Sequence, residues 1–196
     1  AKTWDTNGHG THCAGNMAGS RPMGTNNGMA PAAKLVIQDG GAKTNDCADL
    51  PGIGCPVVDL YPLFNQAYTQ GVRIHNNSWG DNENAPTPRP SNYSARSQDV
   101  DRFVWDHKDM LLVFAAGNSG ANDAEFSVCS PSTNKNGLSV GSVRANANSN
   151  TDNDISSYSS RGWTAYGRIK PDLMDPGCNA SAGTDNDNTT RNCSQN

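Results

Sequence analysis

Met110-Leu111-Leu112-Val113-Phe114-Ala115-Ala116-Gly117-Asn118-Ser119-Gly120 is the stretch that decides the fold. Its apolar residues run without alternation, as in a central strand of a parallel sheet. The run stops at Gly-Asn-Ser-Gly, strong turn chemistry. Just upstream, residues 99–108 read as a helix with Val100, Phe103 and Val104 on one face. A Pro/Asn/Ser-rich loop over 81–96 separates that helix from a second strand at 72–77, which ends at Ser78-Trp79-Gly80. Before it, residues 57–70 place Leu60, Leu63, Phe64 and Ala67 at helical spacing, and Gly71 stops the helix. Residues 32–38 read as a buried strand and residues 137–143 as another, with no internal repeat. Strands alternating with helices predict an α/β domain whose central, mostly parallel sheet is flanked by helices. Such sheets take their ligands beyond the carboxyl ends of the strands. The loops at 78–80 and 116–120 are expected there.

The chain has 196 residues and a mildly acidic formal charge of -4. Nucleic acid is not an expected partner, because phosphate binding needs a basic face. No apolar run approaches the roughly 18 residues of a membrane span, so no membrane is expected either. Six cysteines occur without a CxxC pair, which argues against a zinc ribbon or a thioredoxin motif. Cys47 and Cys55 flank a Gly/Pro loop, and Cys178 and Cys193 flank a polar one. Each pair could close a local disulfide in an oxidising compartment, and six reduced thiols are the alternative. Neither Ala1-Lys2-Thr3-Trp4-Asp5 nor the polar tail to Asn196 reads as a domain boundary. The expectation is a single domain over residues 1–196, cut at both ends.

The densest motif is Asp5-Thr6-Asn7-Gly8-His9-Gly10-Thr11-His12-Cys13-Ala14-Gly15. A histidine between two glycines can be approached closely by a substrate backbone, as a general base requires. His9 and His12 lack the Glu of H-E-x-x-H, and no third ligand is evident, so metal binding is not expected of them. His12 reads as a buried, hydrogen-bonded structural residue. Asn118 alone would read as a turn residue.

Gly8-His9-Gly10-Thr11-His12-Cys13-Ala14-Gly15 resembles the histidine motif of the subtilases, the subtilisin-like serine proteases, with Cys13 where Val is commoner. Further segments match in order. Gly28-Met29-Ala30-Pro31 resembles the G-x-A-P segment, Asn77-Ser78-Trp79-Gly80 the substrate-pairing strand, and Val113 through Gly120 the oxyanion-hole motif. Ser157 to Arg161 and the run from Gly167 to Gly177 resemble the approach to the nucleophile. Residues 73–80 and 167–172 are most similar to the alkaline, oxidatively stable bacterial branch. The resemblance implies a three-layer subtilisin-like domain and a secreted, monomeric endopeptidase acting on extended polypeptides without a catalytic cofactor. It implies that His9 is the base and that Asn118 donates to the oxyanion. Ser78, Trp79 and Gly80 would pair with substrate as an added strand. Ala115, Ala116 and Gly117 would wall the pocket for the residue before the scissile bond, and their small side chains suit a large apolar or aromatic group.

The triad Asp and Ser are expected outside these residues. Asp5 is too close to His9 to be the triad acid, and no G-T-S-M-A motif occurs. Gly183-Thr184-Asp185 starts like one, but Asp stands where Ser should, and the sequence after it is too polar for a buried helix. Asp175 also replaces the small residue usual before Pro-Gly. This chain alone would then be a weak protease or none, with a core face left open. Ser78 is a remote candidate for a substitute nucleophile. Asp152-Asn153-Asp154 and Asp185-Asn186-Asp187 offer oxygen ligands for a structural calcium, though simple solvation of acidic loops is commoner. The competing function is a catalytically inactive subtilase-like module that binds peptides or only keeps the fold. Retention of both His9 and Asn118 speaks against a pure binder.

Overall fold

Asp59 starts the first helix of the sheet-bearing part of the chain, its carboxylate accepting the Tyr61 N–H at 2.9 Å. The structure, a computed structural model, describes residues 9–20, 27–38, 59–81, 91–121, 125–144 and 155–177. They fall into two compact units, Ala1–Asp39 with Cys178–Asn196, and Gly40–Gly177. The first unit holds α1 (His9–Ala18). The second holds α2 (Leu60–Thr69), β1 (Ile74–Asn77), α3 (Ala95–Asp106), β2 (Leu111–Ala115), β3 (Leu138–Val143), β4 (Gly162–Trp163), β5 (Ile169–Lys170) and β6 (Leu173–Pro176).

Pro62 sits in the first turn of α2, where a missing N–H costs nothing. The four apolar residues read from the spacing, Leu60, Leu63, Phe64 and Ala67, are all buried. Gly71 ends the helix at φ +92°, a conformation that favours glycine. The chain turns directly into β1. From there α3 crosses over to β2, as a parallel pair requires. The four-stranded sheet has the order β1-β2-β3-β6 and is parallel throughout, while β4 and β5 form a short antiparallel ribbon.

Register places His75 beside Leu112 and Asn77 beside Phe114, and Phe114 beside Ser139. On this face α2 and α3 lay Leu60, Leu63, Phe64, Val100 and Phe103 against Leu112 and Phe114. Phe103 is wholly buried and stacks on His107 at 4.1 Å, with Tyr61 edge-on at 5.0 Å. Truncating it leaves a cavity between two helices and a strand. Phe103→Ala is therefore expected to lower unfolding free energy by roughly 3–5 kcal/mol, read as a shift of the urea midpoint. Asp101, buried within α3, draws the loop before β3 onto the helix. Its carboxylate accepts the N–H groups of Lys135 and Asn136, each at 2.7 Å, and the Tyr93 hydroxyl at 2.6 Å.

The apolar run at 110–116 is central in the sheet, yet its burial alternates. Only the Leu112 and Phe114 face is covered by described elements of this unit. On the other face Ile74 is 68% exposed, Leu111 37% and Leu173 54%. The strand expected at 32–38 also differs. Residues 32–38 are irregular, and Leu35, Val36 and Ile37 are exposed. A strand needs a neighbour for its N–H and C=O groups, and no strand pairs with this segment among the described residues of its unit. α3 starts a turn earlier than the spacing predicts. Ser97 does not break it, because its hydroxyl bonds Ser130 and Thr133 instead of the helix backbone.

Candidate active site

β1 and β2 pair as far as Asn77 and Phe114, and beyond them the two chains part. Asn77 fixes the point of parting. It is 1% exposed and its amide donates to His75 O at 3.1 Å and Val113 O at 3.2 Å. The segment after it is held from outside: Asp81 N–H donates to Ser130 O at 2.7 Å, and Arg96 pairs with the Asp81 carboxylate at 2.5 Å. The Trp79 ring meets Phe114 edge-on at 6.0 Å. The Ser78 hydroxyl lies 3.0 Å from the Asn76 amide nitrogen, which donates to it. An amide is no base, so this contact does not activate Ser78 as a nucleophile.

The chain leaving β2 is pinned as firmly. Ala116 N–H donates to Val140 O at 2.9 Å, Gly117 O accepts from Ser160 N–H at 2.9 Å, and Gly120 N–H donates to Tyr158 O at 2.9 Å. Ser119 N–H donates to Ser160 Oγ at 3.0 Å. Gly117 adopts φ +113°, which turns the chain so that Asn118 stands exposed at the strand end. Between the two strand ends lies a pocket of about 30 Å³, lined by Ser78, Trp79, Gly80, Ala115, Ala116, Gly117, Asn118 and Cys129. It brings together the seven residues at 78–80 and 115–118 that the sequence marks as substrate-facing. Cys129 is the addition. It belongs to none of the matched segments, and only the fold brings it to residues 78–80.

His9 opens α1 in the other unit, which is described by itself. Its Nε2 lies 3.9 Å from Cys13 Sγ, one helical turn on. α1 closes against the G-x-A-P segment: Met29 N–H donates to Asn16 O at 3.0 Å and Ala30 N–H to Met17 O at 2.7 Å. A Cβ on Gly28 would stand 2.6 Å from Gly15 O, so only glycine allows this approach. His12 is not buried as the sequence suggested. It is exposed and hydrogen-bonded to the Asn16 amide at 3.2 Å, and α1 buries none of its residues among those described. Among the described residues no group of His, Cys, Asp and Glu could hold a metal. The candidate calcium loops at 152–154 and 185–187, and the pairs Cys47/Cys55 and Cys178/Cys193, lie outside the described residues.

His75 lies in β1, with Phe64 edge-on to its ring at 5.2 Å. Burial pushes its pKa down from 6.5 to about 4, partly offset by a hydrogen bond with Asn77 that favours the charged ring. The unfolded chain takes up this proton near 6.5 and the folded chain only near 4. Stability from this residue is thus intact above pH 6.5 and lost as pH falls towards 4, by roughly 3 kcal/mol in all. Urea midpoints should drop between pH 7.5 and 4.5, and His75→Gln should make that drop smaller. An equal drop in the variant would assign it to carboxylates instead.

The model of the Subtilase family, Peptidase_S8, matches residues 2–196. The serine protease AprX of Bacillus subtilis (strain 168) is 31% identical over 195 residues, which is 90% of this chain and 39% of that protein. Bacillopeptidase F of the same organism is 28% identical over 91% of this chain and 12% of its own length. The chain thus spans well under half of these relatives. Among solved structures, an S41 psychrophilic protease superposes with a TM-score of 0.54 at 24% identity, over 85% of this chain and 51% of that one, a likeness of fold.

Proposed function

This chain belongs to the subtilase family, and we propose on that premise that it forms the larger part of a serine endopeptidase domain acting on extended polypeptides. His9 is the general base that takes the nucleophile's proton and returns it to the leaving amine. Asn118 donates a hydrogen bond to the oxyanion. The backbone at Ser78-Trp79-Gly80 pairs with the substrate as an added strand, and Ala115, Ala116 and Gly117 wall the pocket for the residue before the scissile bond. The triad Asp and Ser stand elsewhere in the parent protein, and a structural calcium would be held by the oxygen-rich loops at 152–154 or 185–187. Secretion and closure of the two short cysteine loops belong to the same reading. No described helix is long and apolar enough to cross a membrane.

The observation that carries this reading is the pocket between the carboxyl ends of β1 and β2, with Asn118 on its rim. In parallel α/β sheets that is where ligands are bound. The test uses the full-length protein, quenched-fluorescent casein and a fluorophosphonate probe for an activated serine. Casein cleavage blocked by the probe is the expected result. Binding of casein without cleavage or labelling would make the protein a peptide-binding module instead.

A further inference from the structure

A second hollow, of about 540 Å³, runs along α3 and shares no lining residue with the pocket between β1 and β2. Its size falls in the range of small-ligand sites, about 300–1,000 Å³. Two aromatic side chains line it. Trp105, in the last turn of α3, is 69% exposed, and Lys108 Nζ stands over its ring at 3.7 Å from the centroid. A cation on one face of the indole leaves the other face for a ligand. Tyr93, just before α3, carries Lys135 Nζ over its ring at 4.5 Å. Its hydroxyl donates to Asp101 at 2.6 Å. Burial, with the Asp101 carboxylate beside it, pushes that hydroxyl up to about 12, so it stays a donor at neutral pH.

The lining holds two acids, Asp99 and Asp101, and two cations, Arg102 and Lys135. Their formal charges balance, but the acids are already engaged. Asp101 is buried and accepts the Lys135 N–H, the Asn136 N–H and the Tyr93 hydroxyl. Asp99 accepts the Leu60 N–H at 3.1 Å. The cations keep donors in hand. Arg102 stands 3.7 Å from the nearest oxygens of Asp59 and Asp99, too far for a hydrogen bond. Lys135 is exposed, and what its ammonium faces is a ring. The hollow therefore offers spare positive donors beside an uncovered indole face. An inorganic anion would use the donors and leave Trp105 wet. A neutral ring would cover Trp105 and leave the donors unmatched. A flat apolar group that bears a carboxylate uses both, and Trp, Tyr and Arg are the side chains that most often dominate binding surfaces.

We propose that this hollow is a binding site for an aromatic carboxylate, its flat group on Trp105 and its carboxylate on Arg102 and Lys135. A peptide that ends in Phe, Tyr or Trp presents this chemistry, and so does a free aromatic acid. The site does not depend on the peptidase reading. The full-length protein is titrated with 3-phenylpropionate, with N-acetyl-phenylalanine and with the amide of the latter. Both acids are expected to bind with a Kd of about 1 mM or below, and the amide at least about fivefold more weakly, because it lacks the charge. Equal affinity for the two acids makes a free aromatic acid sufficient, and tighter binding of N-acetyl-phenylalanine selects the peptide end. Either result supports the site. Lys135→Gln and Trp105→Ala are each expected to weaken binding by about three- to tenfold, while Lys135→Arg and Trp105→Phe keep most of it. Both side chains are exposed, so none of these variants should move the melting temperature. An amide that binds as tightly as the acid would overturn the proposal, as would no binding of either acid at about 10 mM. Unchanged affinity in Lys135→Gln and Trp105→Ala would overturn it too, by placing the ligand elsewhere. Casein cleavage is read in parallel, so the site can fail while the peptidase reading stands, and the reverse.

Discussion

His9→Ala in the full-length protein is expected to lower kcat by on the order of 10⁶-fold while KM changes little. That magnitude is carried over from a subtilisin, a member of this chain's own family, and is not drawn from this structure. The direction follows from the chemistry. A serine hydroxyl is a weak nucleophile until a base takes its proton as the bond to carbon forms. The base therefore acts in the transition state and hardly at all in the bound substrate, so kcat falls and KM does not. The local setting suits the role. His9 is the first residue of α1, flanked by Gly8 and Gly10, so no neighbouring Cβ stands between its ring and an arriving chain. A structural histidine would behave differently. α1 buries none of its residues among the described part of its unit, so His9→Ala should leave the melting temperature within a degree or two. A drop in melting temperature matching the loss of activity would assign His9 to folding instead.

How far the sequence could be read depended on whether a feature was local. Leu60, Leu63, Phe64 and Ala67 are one stripe of a helix, and a stripe of that width has to be buried against something. Its burial needs no knowledge of the partner. The same holds for the turn at Gly117 and for the stop at Gly71, where the backbone itself demands glycine. Residues 32–38 and His12 differ from the sequence expectation because burial is not local. Leu35, Val36 and Ile37 have a strand's composition, but whether they form one depends on a neighbouring edge that no short window of sequence reveals. The pocket lining at 78–80 and 115–118 was legible because each piece lies directly after a strand, where parallel sheets place their ligands. Cys129 was not. It reaches the pocket through a loop tied by Ser130 O to Asp81, a contact across about fifty residues that leaves no periodic trace.

Asn118→Ala is expected to reduce kcat by about 10²–10³-fold, or 2.7–4 kcal/mol of barrier, again with KM nearly unchanged. This magnitude too comes from the oxyanion donor of a subtilisin and not from this structure. An amide aimed at the place where negative charge develops stabilises the tetrahedral intermediate far more than the neutral carbonyl before it. Its position supports that aim. Gly117 at φ +113° throws Asn118 outward at the end of β2, while Ser160, Tyr158 and Val140 hold the surrounding backbone. A donor on a fixed loop is not reoriented as charge builds up, and that pre-organisation is the source of the effect. Asn118→Asp separates this from mere shape. It keeps the size of the side chain, removes the N–H and sets a carboxylate against the oxyanion, so its loss should exceed that of the alanine variant. The combined His9→Ala/Asn118→Ala protein adds a further constraint. If Asn118 acts on charge that only the base-assisted step creates, the double variant should be little slower than His9→Ala alone. Full additivity of the two losses would mean that Asn118 assists a step that does not depend on His9.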